Sequence, residues 1–226
     1  MHRSLSHSVA VVLAMAAAAL LAAPAARAAP VCGEGTYAYA GFDLLMVTTG
    51  VSAVIDAAGP VNVRDGHVAG WIGVVAPDSG AAWLQVGLSA LPGDTTSGFY
   101  YEVAFPGHAP VYHALGGMAS GRPHRFAVLE LSRRPGWWRV WSDGKPQTPP
   151  LHLPGSHDRW TAQVLGESWA GATSGACNGY TYAFSQVSVL RPRGRRLSGL
   201  TGAPLGDPNY VVAQRRQSSF VATIRP

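Results

Sequence analysis

Residues 67–75 read His67-Val68-Ala69-Gly70-Trp71-Ile72-Gly73-Val74-Val75, and the next apolar run reads Trp83-Leu84-Gln85-Val86-Gly87-Leu88. Side chains on a strand alternate between the two faces of a sheet. In the first run Val68, Ile72 and Val74 point one way, while His67, Ala69, Trp71 and Gly73 point the other. In the second, Leu84, Val86 and Leu88 oppose Trp83 and Gln85. Alternation of this kind, without a helical period, specifies strands with one face made for a core. The other face has an unusual composition: tryptophan beside an amide and a histidine.

The same pattern extends outward from this pair. Further β-prone runs occupy Thr36–Val47, Val51–Asp56, Gly98–Phe105, Pro110–Leu115, His124–Leu131, Trp137–Trp141, Leu151–Leu153, Trp160–Glu167 and Tyr180–Leu190. Turn signals separate them, among them Ala58-Gly59-Pro60, Asp78-Ser79-Gly80, Pro92-Gly93-Asp94, Arg134-Pro135-Gly136 and Asp143-Gly144-Lys145. Many short strands at this spacing predict an all-β jelly-roll sandwich of two antiparallel sheets.

The ends of the chain differ from its body. His2 and Arg3, the apolar run Val9 to Ala23 and the A-x-A site at Ala26-Arg27-Ala28 predict a signal peptide over residues 1–28. That run is short for a membrane span. The expected product is a secreted, soluble protein, extracellular or periplasmic, with a β-sandwich domain over 29–190. Residues 29–190 carry eight Lys and Arg against eleven Asp and Glu, whereas 191–226 carry seven Arg and one acid. The basic whole-chain balance therefore belongs to the C-terminal stretch, and the body offers no basic face for nucleic acid. Residues 191–226, rich in Arg, Gly and Pro up to Gly206, read as a flexible tail whose positive field would attract anionic surfaces. Within it, Tyr210–Ala213 and Phe220–Ile224 are short enough to pair with a sheet edge.

Cys32 and Cys177 are the two cysteines of the chain. In an oxidising compartment they pair most simply with each other, closing a loop that adds on the order of 4–5 kcal/mol by chain entropy. Neither lies in a metal-ligand spacing, the histidines are scattered, and no cofactor motif is present. The serines lack a nucleophile-elbow setting.

Parity collects a candidate working face. Tyr100 and Glu102 oppose Phe99, Tyr101 and Val103; Gln163, Glu167 and Trp169 oppose Ala162, Val164 and Gly166. If these strands are neighbours, His67, Trp71, Trp83, Gln85, Tyr100, Glu102, Gln163, Glu167 and Trp169 share one surface, a groove for an extended polypeptide or glycan. Trp137, Arg139 and Trp141 share the face of their hairpin opposite Trp138 and Val140, and would extend that surface. Glu102 and Glu167 together would also serve as the carboxylate pair of a glycan-cleaving enzyme, which needs a separation of about 5–10 Å.

These residues, in this order, resemble the glutamic peptidases, or eqolisins. Gly70-Trp71-Ile72-Gly73 and Leu84-Gln85-Val86-Gly87 resemble that family's W-x-G-x and L-Q-x-G strands. Tyr100-Tyr101-Glu102, with Pro106 beyond, resembles its Y-E strand, and Ala162-Gln163-Val164-Leu165-Gly166-Glu167 the strand that ends in its catalytic glutamate. Fourteen positions separate Trp71 from Gln85 and eighty-two separate Gln85 from Glu167. The resemblance covers about residues 65–190. It implies a concanavalin-like sandwich with Gln85 and Glu167 as a catalytic dyad on the concave face, Glu167 activating water and Gln85 holding the oxyanion, in acid. Trp71, Trp83, Tyr100, Glu102, Gln163 and Trp169 would line the substrate site. Three positions depart from the family: Val75 stands where an acid follows W-x-G-x, Val164 where the last strand has tryptophan, and Ser168 where an acid follows the glutamate. The alternative expectation is a non-catalytic module that binds peptide or glycan on the same face.

Overall fold

The computed structural model describes residues 31–77, 82–119, 121–172, 175–194 and 196–224. The signal-peptide segment 1–28 and the turn residues 78–80 lie outside them. The strands, in chain order, begin with β1 (Val31–Cys32), β2 (Tyr37–Val47), β3 (Gly50–Ala57), β4 (His67–Val75), β5 (Trp83–Ala90) and β6 (Gly98–Ala104). They continue with β7 (Val111–Met118), β8 (His124–Glu130), β9 (Trp137–Ser142), β10 (Lys145–Pro146), β11 (Leu151–His152) and β12 (Thr161–Trp169). The last are β13 (Gly175–Ala176), β14 (Thr181–Leu190), β15 (Arg196–Ser198), β16 (Ala203–Gly206), β17 (Tyr210–Arg216) and β18 (Ser219–Ile224).

Two large antiparallel sheets form the sandwich. One has the order β16-β2-β12-β4-β5-β6-β7; the other runs β10-β9-β8-β3-β14-β18-β17, with β11 beside β9 and β15 beside β14. The core lies between them and takes the apolar parity of each strand: Val68, Ile72 and Val74 from β4, Leu84, Val86 and Leu88 from β5, Val51, Ala53 and Ile55 from β3, Phe126 and Val128 from β8. Two glycines allow the sheets to approach. A Cβ at Gly70 would stand 2.5 Å from the Tyr182 ring, and one at Gly166 would stand 2.7 Å from Tyr180. These glycines are cross-strand partners, so together they clear a path in which both tyrosines lie flat. No helix among the described residues is long and apolar enough to cross a membrane.

Cys32 and Cys177 form the expected disulfide, which joins β1 to the segment after β13, 145 positions away. Replacing both by serine should lower unfolding free energy by about 4 kcal/mol, read as a lower urea midpoint. An unchanged midpoint would show that β1 is held by its strand pairing alone.

Two sequence expectations are corrected. The stretch expected as a flexible tail over 191–226 instead contributes β15 to β18 to the sandwich. β18 inserts between β14 and β17, and Tyr210, Phe220 and Ala222 are core residues. Phe220 stacks on Phe184 with centroids 4.5 Å apart and meets Phe42 edge-on at 5.1 Å. The domain boundary at residue 190 therefore falls inside the sandwich. Nor does the β9 hairpin extend the working face. Trp138 and Val140 are fully buried in the core, so Trp137, Arg139 and Trp141 lie on the outer side of the opposite sheet.

Candidate active site

The seven-stranded sheet brings the candidate strands side by side. β12 lies between β2 and β4, and β5 and β6 follow. Cross-strand register builds rows on the face turned away from the core. One row holds Asp43, Gln163, Gly73, Gln85 and Glu102; the next holds Leu165, Trp71 and Tyr100; the third holds Tyr39, Glu167 and Ala69. Residues from six of the seven strands of this sheet line one cavity of about 340 Å³, so the face is concave.

Glu167 lines this cavity and is 6% exposed. Its Oε2 accepts a hydrogen bond from Trp71 Nε1 at 2.8 Å, and its Oε1 lies 2.8 Å from His67 Nε2. Each oxygen thus has one partner fixed on β4, which sets the plane of the carboxylate and leaves further lone pairs open. His67 itself packs against the rings of Tyr37 and Trp169, with centroids 6.0 and 5.7 Å away.

Gln85 lines the same cavity and is nearly buried. Its Nε2 donates to Tyr100 Oη at 2.9 Å, which fixes the amide; among the described residues its second N–H and its carbonyl have no hydrogen-bond partner. Gln85 and Glu167 stand two strands apart and, measured along β4, four residues apart, at Gly73 and Ala69. The Trp71 row lies between them. Glu102, the cross-strand partner of Gln85, accepts from Trp83 Nε1 at 3.1 Å. Burial, and next the charge of Glu167, push the Glu102 carboxyl above its ordinary value, against the Trp83 hydrogen bond that lowers it. Burial and the same Glu167 charge raise the phenols of Tyr37, Tyr39 and Tyr100.

The cavity wall includes Trp71, Trp83, Gln85, Glu102, Gln163 and Glu167 as the sequence placed them. Gln163 is tied to β2 through Asp43 Oδ2 at 3.0 Å. Two expected substrate contacts are absent from the wall. Tyr100 is 2% exposed and serves as a buried support under Gln85. Trp169 stands behind His67 and stacks on Tyr37 at 6.2 Å. Sequence reasoning missed Tyr37, Tyr39 and Leu205, which complete the wall, and the contact of His67 with Glu167. The alternation Tyr37-Ala38-Tyr39-Ala40 was a signal for the first two. Leu205 comes from the stretch read as a tail; β16 pairs with β2 and sets Leu205 opposite Gly41. A larger cavity of about 620 Å³ begins at the sequence neighbours of Val75, Trp83 and Pro110, but among the described residues its wall, with Phe105, Pro106, Pro154 and Trp160, carries no carboxylate. Among the described residues no group of three or more His, Cys, Asp or Glu could hold a metal ion.

Two large antiparallel sheets packed face to face make a concanavalin-like sandwich, and solved structures of glutamic peptidases share this fold. The chain is similar to scytalido-glutamic peptidase, solved with a peptide-based transition-state analog: TM-score 0.61 and 16% identity over 87% of this chain and 100% of that one. It is also similar to SCP-B, a member of the eqolisin family solved with the tripeptide Ala-Ile-His, with TM-score 0.56, 15% identity and the same coverage. At such identities the likeness shows the fold. No protein-family model matches the chain, and a search of curated proteins finds no match.

Proposed function

We propose that the protein is a secreted peptidase that hydrolyses peptide bonds in acid with Glu167 and Gln85. The observation that carries this reading is the Glu167 carboxylate, buried in a cavity, oriented through both oxygens, and sharing that cavity with the Gln85 amide, whose nitrogen has one hydrogen-bond partner among the described residues. Glu167 removes a proton from a water, whose oxygen attacks the peptide carbonyl. The Gln85 N–H donates to the oxygen that becomes negative, a neutral donor aimed at developing charge. The tetrahedral intermediate then collapses, the C–N bond breaks, and Glu167 returns its proton to the leaving amine. The disulfide supports an oxidising compartment, and the fold shared with peptidases solved with peptide ligands supports an extended polypeptide substrate.

Gln85→Ala tests the oxyanion role. It should lower kcat by about 10²–10³ with a smaller change in KM, since the lost donor acts in the transition state. A variant with wild-type kcat removes Gln85 from the mechanism. The second reading, a groove that binds peptide or glycan without cutting it, is favoured by Val75, which puts an apolar side chain in the cavity wall where the family has an acid.

A further inference from the structure

We propose that the end of the sandwich where β8 and β14 finish is a docking surface for a membrane that carries anionic lipid. Backbone hydrogen bonds tie the strand ends together: the Thr49 N–H donates to the Leu190 carbonyl at 2.7 Å, and the Glu130 N–H to the Thr49 carbonyl at 2.9 Å. The chain leaving β8 carries Arg133 and Arg134, and the chain leaving β14 carries Arg191, Arg193 and, opposite Leu190, Arg196. All five are exposed. Ser132, Pro135 and Arg193 line one cavity, so the two groups of arginines are neighbours. Among the described residues at these ends the acids are Glu130 and Asp158, which share His157: its Nδ1 lies 2.9 Å from Glu130 Oε1 and its Nε2 3.4 Å from Asp158 Oδ2. The Glu130 side chain is 4% exposed. The outward field of this end is therefore positive.

Apolar side chains stand beside the arginines. Leu45 and Val47, at the end of β2, are 67% and 37% exposed. β2 bulges here: Asp43 pairs with Gln163 and Val47 with Thr161, four steps on β2 against two on β12. Leu45 has a φ of 48°, a region leucine seldom adopts, and its N–H donates to Asp43 Oδ1 at 3.1 Å. Val47 shares a cavity wall with Arg191, Pro192 and Arg193. Arginines alone suit any polyanion. Arginines around an exposed leucine and valine suit a bilayer, whose phosphates meet the cations while its interface takes the apolar side chains.

Docking of this kind orients the cavity. Val47 and Val75 are both cross-strand partners of Thr161, and Val75 lines the cavity. A molecule held by its basic end therefore keeps the Val75 end of the cavity towards the bilayer. The far ends of β8 and β9 provide a control. Arg122 precedes β8, and Lys145 opens β10 opposite Ser142, the last residue of β9. Both are exposed, and they lie a strand's length from the five arginines.

The test sediments the mature protein with vesicles of phosphatidylcholine alone, or with about 30% phosphatidylglycerol added. At low salt the anionic vesicles should bind about tenfold more tightly than the neutral ones, and high salt should shrink the difference. An arginine close to an anionic bilayer strengthens binding about fivefold, so Arg191→Gln with Arg193→Gln, or Arg133→Gln with Arg134→Gln, should weaken it about 10- to 25-fold. Arg122→Gln with Lys145→Gln makes the same change in net charge and should leave binding within about twofold of the wild type. Leu45→Ser with Val47→Ser should weaken vesicle binding but not binding to soluble dextran sulfate. Circular dichroism and melting temperature should match the wild type for every variant. Failure to bind anionic vesicles, equal binding to neutral ones, or an equal loss from the Arg122 and Lys145 pair overturns the proposal. Vesicle binding that ignores Leu45 and Val47 would make this end a general polyanion site and overturn the membrane assignment.

Discussion

Glu167→Gln should abolish peptide cleavage while leaving the protein folded. The substitution keeps the shape of the side chain and its place between Trp71 and His67. What it removes is the carboxylate that takes the proton from water in the proposed reaction. Loss of a positioned general base costs about 10²–10⁴ in rate, so kcat should fall by that factor with KM little changed. Circular dichroism and the melting temperature should match the wild type. A variant that retains kcat would show that Glu167 is only a hydrogen-bonded wall residue, and the proposed chemistry would have no base.

Truncation after Leu190 should destroy the fold. It removes β18 from between β14 and β17 and strips β16 from the edge of β2. Tyr210 stacks on Tyr180 with centroids 5.2 Å apart and donates its hydroxyl to the Asn178 carbonyl at 2.9 Å; it is lost together with Phe220 and Ala222. Deleting one buried phenyl ring costs about 3–5 kcal/mol, and a domain of this kind has about 5–15 kcal/mol in total. Residues 29–190 expressed alone should therefore aggregate or lack a cooperative thermal transition. A soluble, cooperatively melting fragment would mean that β15 to β18 only decorate an independent domain.

The contrast between these two experiments reflects what the sequence discloses. Alternation on β4 and β5 assigned both faces correctly, because side-chain direction in a strand depends only on parity. The neighbours of a strand are not a local property. β12 pairs with β2 and with β4, about 120 and 95 positions away, and no pattern inside β12 announces either. That is why the alternation of Tyr37 and Tyr39 does not by itself join them to Glu167, and why parity alone does not say on which sheet the face of Trp137 and Trp141 lies. His67 was legible as a member of the face but not as the partner of Glu167, since four residues along β4 place both His67 and Trp71 within reach of a carboxylate on another strand. The C-terminal stretch misled for a different reason. Its arginines dominate the composition, whereas the exposed ones, such as Arg215 and Arg216, lie at the end of a hairpin whose second strand turns Phe220 and Ala222 into the core.

The central claim is that the cavity cuts the peptide it holds. It is tested most directly by incubating the mature protein with a diverse peptide library between pH 2 and 7 and identifying, by mass spectrometry, what remains bound and what is released. The wild type should release cleaved fragments, and Glu167→Gln should bind the same peptides and return them intact. Peptides that bind the wild type and are recovered whole across that range would contradict the claim, and would make the concave face a binding groove.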